Sequence, residues 1–143
     1  MRLYLVRHGE ALREPEELSP RGRAQADWLA EDLVRTGVQV AEIQHSGKAR
    51  ARETAERLAL RIGARVSFLS GLKPDDDPAL VGEILLAEEQ DLMIVGHLPH
   101  LPRLAAWLVG GVSPRIELGN GDLLAFEREG TRWRRIDVLS PHD

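Results

Sequence analysis

The stretch Asp91-Leu92-Met93-Ile94-Val95 decides the fold class, because its apolar residues follow one another almost without interruption. A strand that is covered by helices on both faces shows such a run, whereas a strand with one face in water alternates apolar and polar residues. A second short run of this kind, Leu3-Tyr4-Leu5-Val6, lies near the start of the chain. Residues 38–44 and 65–69 are predicted as two further strands.

Helix signals alternate with these strands. Ser19 is predicted to cap a helix that has Pro20 at its first position and Gly37 as its stop, since these residue types favour those places. Its inward-facing side chains are expected to be Ala26, Leu29, Leu33 and Val34. Ser46 is predicted to cap a second helix that ends at Gly63. Two further helices are predicted over residues 78–87 and 99–109.

This alternation predicts an α/β fold, with helices on both faces of a mostly parallel sheet. We therefore expect a three-layer α/β/α sandwich. The last two strands, over residues 122–126 and 132–138 around Gly130, are expected to form an antiparallel edge. The chain has 143 residues, a length typical of one domain, so residues 1–143 are expected to form a single domain.

Composition excludes several classes of protein. The chain has no cysteine, which excludes disulfides, cysteine–zinc sites and phosphatases with a thiolate nucleophile. Its formal net charge of −4 argues against a general nucleic-acid binder, which is usually basic. No apolar run approaches the roughly 20 residues of a membrane-spanning helix, so no membrane partner is expected. The N-terminal apolar stretch is too short for a signal peptide, and a cytoplasmic location is expected.

Polar segments follow the four predicted parallel strands. They are residues 7–10, 45–50, 73–77 and 96–97. Ligands of such sheets bind beyond the carboxyl ends of the strands, so we expect these segments to meet at one rim of the sheet. The predicted pocket would hold two arginines, two or three histidines and several carboxylates.

This set of side chains suits a phosphoryl group. An arginine presents forked N–H donors that match phosphate oxygens. The helix N-termini after Ser46 and after His97 would add backbone N–H donors and positive dipole ends. Because the ordinary pKa of histidine is about 6.5, one histidine is expected to be a neutral nucleophile at about pH 7 and another a cationic clamp.

At these segments the sequence resembles a known family. Leu5-Val6-Arg7-His8-Gly9-Glu10-Ala11 resembles the signature of the histidine phosphatase superfamily, the phosphoglycerate mutase-like "RHG" proteins. Three later segments resemble further motifs of that family, in the same order: residues 18–22, 46–55 and 95–99. The short length and the Glu10-Ala11 continuation are most similar to the SixA-like branch, phosphohistidine phosphatases that act on histidine-containing phosphotransfer domains. The departures from the family pattern are His45, Gly47 and Glu53.

The resemblance implies a role for each residue of the predicted pocket. His8 would be the nucleophile and would carry the phosphoryl group before water releases it. Arg7, Arg50 and His97 would bind the phosphoryl oxygens, and Gly9 would contact the substrate. No metal and no cofactor are expected, because cationic side chains take the place of a metal ion. The implied partners are a phosphorylated protein or a small phosphorylated substrate, and inorganic phosphate.

The acidic run before the third helix leaves two interpretations open. Asp75 or Asp76 is a candidate general acid, because related enzymes place the acid between the second arginine and the second histidine. An alkoxide leaving group needs such a donor, whereas a protonated imidazole leaves easily. Asp77 before Pro78 is instead a good helix cap, and this interpretation is favoured over a metal site for the run.

Three functions stay open at this point. The first is a phosphohistidine phosphatase acting on a protein, which the lack of a long lid insertion favours. The second is a small-molecule phosphomonoesterase of the same superfamily, and the third is an inactive phosphate-binding domain. Among the other histidines, His45 is expected at the surface or supporting the site, and His100 in packing or in solvent. His142 is expected to have no role.

Overall fold

The computed structural model describes residues 1–111 and 116–140, which fold into six strands and four helices. In chain order the elements are β1 (Arg2–Arg7), α1 (Pro20–Thr36), β2 (Glu42–His45), α2 (Ala49–Ile62), β3 (Arg65–Phe68), α3 (Pro78–Leu86), β4 (Leu92–Gly96), α4 (His100–Leu108), β5 (Leu123–Glu129) and β6 (Arg132–Leu139). His142 lies outside the described residues.

The strands form one sheet in the order β3-β2-β4-β1-β5-β6. The four strands from β3 to β1 are parallel, while β5 runs antiparallel to β1 and β6 antiparallel to β5. The prediction of a mostly parallel sheet with an antiparallel C-terminal edge is therefore confirmed. The carboxyl ends of β1, β2 and β4 consequently lie at the same edge of the sheet.

Two hydrophobic cores lie on opposite faces of this sheet. Helices α1 and α2 cover one face and contact Tyr4 and Val6 of β1, while α3 and α4 cover the other and contact Leu3 and Leu5. Alternate residues of one strand point to opposite faces, so β1 is covered on both. All five residues of β4 are buried, as its apolar sequence predicts. The three-layer α/β/α arrangement is confirmed.

The first helix begins and ends as predicted, with one error in its buried face. The Ser19 hydroxyl accepts a hydrogen bond from the Gly22 N–H at 3.0 Å, and Gly37 adopts a left-handed φ of 75° just after the helix. Val34, however, is 48% exposed, and Ala30 is buried instead. At 100° per residue, Val34 lies about 80° around the helix from Ala26, at the edge of the apolar stripe.

Two other boundaries differ from the predictions. The second strand occupies only Glu42–His45, since residues 38–41 serve as the connection from α1. Ser46 does not cap α2: the helix begins at Ala49 with Lys48 at the cap position, because Gly47 turns the chain at a φ of 89° in between. The other predicted elements match within three residues. Among the described helices, none is long and apolar enough to cross a membrane.

The N-terminus of α1 packs directly on the loop that follows β1. A Cβ atom at Gly22 would lie 2.0 Å from the Glu10 carbonyl oxygen, and one at Gly9 would lie 2.5 Å from the Gly22 carbonyl oxygen. Neither contact leaves room for a methyl group, so both positions require glycine. This close approach fixes the loop after β1 against the helix.

We predict that Gly22→Ala lowers both stability and activity, whereas Gly37→Ala lowers stability alone. The methyl group at residue 22 forces the β1 loop away, at a cost of about 1–3 kcal/mol in the free energy of unfolding. Gly37 has open space but a left-handed backbone, so alanine there costs about 1–2 kcal/mol. It lies roughly 22 Å along the helix from Gly22. Urea unfolding and phosphate release measure the two effects, and full activity in Gly22→Ala would contradict the prediction.

Candidate active site

The pairing of β1 with β4 places two histidines side by side. Arg7 lies opposite Gly96 in the parallel register, so the next residue of each strand, His8 and His97, leaves the sheet at the same edge. The centroids of the two imidazole rings are 5.0 Å apart, with the ring planes inclined by 52°. Both side chains are buried.

His8 has a defined tautomer. Its Nδ1 lies 2.7 Å from the Gly9 carbonyl oxygen and donates a proton to it, which leaves Nε2 with a free lone pair. The Arg50 Nε–H donates to this Nε2 at 3.3 Å. Burial, together with the charges of Arg50 and Arg7, lowers the pKa of His8 from 6.5 to about 4. The imidazole is therefore neutral at about pH 7 and can attack an electrophile through Nε2.

Thr54 links the His8 loop to the helix that carries Arg50. The Gly9 N–H donates to the Thr54 hydroxyl oxygen at 3.1 Å, and that hydroxyl donates to the Arg50 carbonyl oxygen at 2.8 Å. Thr54 is fully buried one turn after Arg50 on the same helix. This role was not predicted, although the spacing of four residues between Arg50 and Thr54 is a usable signal.

His97 is held by Ser46. The Ser46 hydroxyl and His97 Nε2 are 2.5 Å apart, while His97 Nδ1 is buried without a hydrogen-bond partner among the described residues. Burial lowers the pKa of His97 to about 3, helped by His8, Arg50 and Lys48. His97 is therefore neutral at about pH 7 in this ligand-free arrangement, and the cationic histidine stays a prediction for the anion-bound site. A bound dianion would raise this pKa, because a nearby negative charge favours the imidazolium form.

The segment before β5 supports Arg7 and His8 from the other side. The Arg7 guanidinium donates from Nη1 to the Leu118 carbonyl oxygen at 2.8 Å, and the Asn120 side-chain amide donates to the His8 carbonyl oxygen at 3.2 Å. Arg7 Nε is buried without a hydrogen-bond partner among the described residues. The roles of Leu118 and Asn120 were not predicted, because main-chain contacts and a lone amide leave no sequence motif.

A cavity of about 360 Å³ opens at this edge of the sheet. Its lining comprises Arg7, His8, Glu10, Ala11, Leu12, Arg13, Glu16, Arg50 and Asn120. The volume exceeds what a phosphoryl group needs, so the cavity has room for part of a leaving group. Three arginines give it the charge that suits an anion.

Two other histidines have structural roles. His45 is buried, and its Nδ1 accepts the Gly47 N–H at 3.0 Å, so it supports the turn that presents Ser46. The surface alternative for His45 is wrong, and the supporting alternative holds. His100 is fully buried in α4, which favours packing over solvent exposure. Burial lowers the pKa of both imidazoles.

The acidic run lies apart from the cavity lining. Asp77 caps α3, as predicted, by accepting the Ala79 N–H at 2.9 Å. Asp76 accepts the Lys73 N–H at 2.9 Å within a turn, and neither Asp75 nor Asp76 lines the cavity beside His8. Within residues 1–111 and 116–140, no group of three or more histidine, cysteine or acidic side chains is placed to hold a metal ion.

The family assignment rests on the first half of the sequence. Residues 3–74, just over half of the chain, match the histidine phosphatase superfamily (branch 1). The chain belongs to the histidine phosphatase superfamily. The matched region of this histidine phosphatase superfamily member contains Arg7, His8 and Arg50, and it ends before His97. No curated protein sequence matches the chain.

Solved structures share the fold of this superfamily member over nearly its whole length. The protein histidine phosphatase SixA complexed with tungstate has a TM-score of 0.92 at 21% identity, covering 99% of this chain and 97% of that one. A structure assigned to phosphohistidine phosphatase SixA from Agrobacterium tumefaciens has a TM-score of 0.84 at 23% identity, covering 99% and 98%. Phosphoserine phosphatase from Entamoeba histolytica, in complex with 3-phosphoglyceric acid, has a TM-score of 0.78 at 18% identity, covering 97% and 96%.

The buried histidines predict a loss of stability in acid. The pKa values of His8 and His97, about 4 and about 3, lie below the ordinary 6.5, so between these values the unfolded chain binds more protons than the folded one. The stability is therefore intact above about pH 6.5 and decreases as the pH falls towards 4. Each group contributes up to about 1.4 kcal/mol per pH unit.

Urea unfolding between about pH 7 and pH 5 checks this slope, with His8→Asn as the comparison variant. Asparagine is similar in size and polarity but does not titrate, so the variant should lose less stability over the same interval. Equal slopes in the two proteins would show that His8 does not carry the acid sensitivity.

Proposed function

We propose that this chain is a metal-independent phosphatase that moves a phosphoryl group from a phosphohistidine first to His8 Nε2 and then to water. One observation carries the proposal: a neutral buried imidazole, with its Nε2 lone pair facing an arginine, borders an open cavity lined by three arginines. Membership of the histidine phosphatase superfamily supports the same chemistry.

In the first step, His8 Nε2 attacks phosphorus from the floor of the cavity. A bond forms between Nε2 and phosphorus while the substrate's P–N bond breaks, and the electron pair of that bond stays on the departing nitrogen. For Nε2 to attack, Arg50 must release its hydrogen bond to the lone pair. A phosphoryl oxygen is the natural new acceptor for that N–H, because a charge-assisted hydrogen bond to an anion is stronger.

Two buried nitrogen atoms support the binding of phosphoryl oxygens at this place. Arg7 Nε and His97 Nδ1 are both buried and unpartnered among the described residues, which is costly unless a ligand satisfies them. Together with Arg50 they would stabilise the charge that spreads over the equatorial oxygens in the transition state. The incoming dianion raises the pKa of His97, so that this residue gains a positive charge once the ligand has bound.

In the second step, water attacks the phosphorylated His8 and releases inorganic phosphate. The P–N bond breaks, its electron pair returns to Nε2, and the water molecule loses a proton to solvent. The hydrogen bond from Nδ1–H to the Gly9 carbonyl keeps a proton on the far side of the ring throughout. His8 therefore leaves as a neutral imidazole, which needs no acid.

The preference for phosphohistidine follows from the leaving group. Asp75 and Asp76, the predicted proton donors, do not line the cavity, and an alkyl phosphate would need such a donor. His97 does not line it either, but its ring lies against that of His8, whereas neither aspartate has a described contact with His8. A phosphohistidine presented by a folded partner, such as a histidine phosphotransfer domain, needs no such donor. A small-molecule phosphomonoesterase is the second candidate, supported by the fold shared with phosphoserine phosphatase. The single-domain organisation and the cytoplasmic location stay predictions.

We predict that Asp75→Asn and Asp76→Asn hydrolyse a phosphohistidine at close to the wild-type rate in the presence of EDTA. A general acid is worth about 10²–10⁴ in rate, so the loss of a true donor would be obvious with an alkyl phosphate. Phosphate release from phosphorylated histidine, phosphoserine and sugar phosphates measures the preference.

Three results would contradict this account. The first is a phosphomonoester rate that exceeds the phosphohistidine rate and collapses in one aspartate variant, which would favour the phosphomonoesterase. The second is loss of activity on chelation with recovery on adding Mg²⁺, which would restore a metal to the mechanism. The third is binding of phosphate without any turnover, which would favour an inactive phosphate-binding domain.

A further inference from the structure

The loop between β1 and α1, residues 8–19, forms one wall of the cavity. Ala11 and Leu18 pair across it as an antiparallel bridge, and the Leu18 N–H donates to the Glu53 carboxylate on α2 at 3.3 Å. The loop is therefore closed on itself and fastened to the helix that carries Arg50. Its tip places Glu16 at the mouth of the cavity.

Two carboxylates of this loop line the cavity, and they differ in their partners. Glu10 accepts a hydrogen bond from the Ser19 hydroxyl at 2.9 Å and lies 3.9 Å from the Arg21 guanidinium, so its charge is engaged outside the cavity. Glu16 has its Oε1 atom 3.7 Å from Arg50 Nη1. In the described part of the chain, Arg50 is the only charged group that contacts the Glu16 carboxylate.

Arg50 joins the floor of the cavity to its mouth. Its Nε lies 3.3 Å from His8 Nε2, and its Nη1 reaches Glu16. Glu16 is exposed and His8 is buried, so Arg50 contacts a carboxylate in solvent through Nη1 and a buried imidazole through Nε. In an in-line displacement the leaving group departs on the side opposite the attacking nitrogen. For a phosphoryl group bound between the buried His8 and solvent, that side is the open mouth of the cavity, which Glu16 lines.

We propose that Glu16 determines the specificity of this site by accepting a hydrogen bond from the N–H of a departing imidazole, an inference that rests on the proposed function. Phosphorylation at one ring nitrogen of histidine leaves the other free to carry a proton. A carboxylate next to that nitrogen favours its protonated form, as opposite charges do. The ring then leaves as neutral imidazole, with the P–N electron pair on the departing nitrogen and no further proton needed.

The same carboxylate acts against other substrates. An aryl or alkyl phosphate has no N–H at this position, and its oxygen gains negative charge as the P–O bond breaks. Glu16 repels that charge and also competes with the phosphoryl group for Arg50. The residue therefore favours phosphoramidates and disfavours phosphomonoesters, which is how repulsion contributes to specificity.

Glu16→Gln tests this assignment through the ratio of two kcat/KM values. Phosphoimidazole and p-nitrophenyl phosphate are the two probes, assayed with the full chain across neutral and alkaline pH. The ratio of phosphoimidazole to p-nitrophenyl phosphate hydrolysis should fall about tenfold or more in the variant, the size of one charge-assisted hydrogen bond. The loss should grow with pH, because the wild-type carboxylate keeps the substrate ring protonated where free substrate is not.

Glu14→Gln is the matched control. Glu14 lies in the same loop and is exposed, but it does not line the cavity, so it removes the same charge without touching the leaving group. In Glu14→Gln the ratio of the two kcat/KM values should stay at the wild-type value. An unchanged ratio in Glu16→Gln, or an equal fall in Glu14→Gln, would overturn the role of Glu16. Failure of the wild type to hydrolyse phosphoimidazole, with good turnover of p-nitrophenyl phosphate, would overturn the proposed function itself and with it this inference.

Discussion

The parallel pairing of β1 with β4 is the constraint on which the rest of the site depends. The register that sets Arg7 opposite Gly96 sends His8 and His97 off the sheet at neighbouring places. A shift of one residue along either strand would turn one of the two side chains to the other face. Buried apolar residues on both faces of β1 and β4 prevent such a shift, so the hydrophobic cores fix the geometry of the polar site.

Electrostatic repulsion determines the protonation state of the two histidines in the site. Two arginines and two buried histidines lie close together, and four positive charges there would repel one another strongly. The histidines avoid this by staying neutral, with pKa values of about 4 for His8 and about 3 for His97. A neutral His8 is also the form that can attack phosphorus. The arrangement thus holds N–H donors ready for an anion, and Arg50 exposes the reactive lone pair of His8 when it turns to that anion.

The fold was predictable from the sequence because local signals agree with it. The apolar run 91–95, the Ser19-Pro20 start and the stops at Gly37 and Gly63 each act through nearby residues, and the structure confirms them. The convergence of His8, Arg50 and His97 followed from the rule that parallel strands end at one edge. The role of Ser46 could not be predicted in this way. The sequence does not distinguish a serine that caps a helix from a serine that hydrogen-bonds a distant histidine.

Long-range contacts through the main chain were likewise beyond the sequence. Asn120 donates to the backbone of His8 across more than a hundred residues, and Thr54 joins the His8 loop to α2 through a single hydroxyl. The neutral state of His8 was predicted, whereas the neutral state of His97 in the ligand-free site was not, since it depends on burial and on neighbours brought together by folding. The role of Glu16 could not be predicted either, because it depends on the fold of the loop that places its carboxylate beside Arg50.

The central claim, that His8 carries the phosphoryl group, is tested most directly by trapping the intermediate. Wild-type protein and His8→Ala are mixed with ³²P-labelled phosphohistidine substrate and stopped in alkaline detergent, since P–N bonds break in acid. The account predicts a labelled peptide that contains His8 in the wild type and no label in the variant, which should also lose turnover. Label on another residue, or turnover by His8→Ala at the wild-type rate, would contradict it.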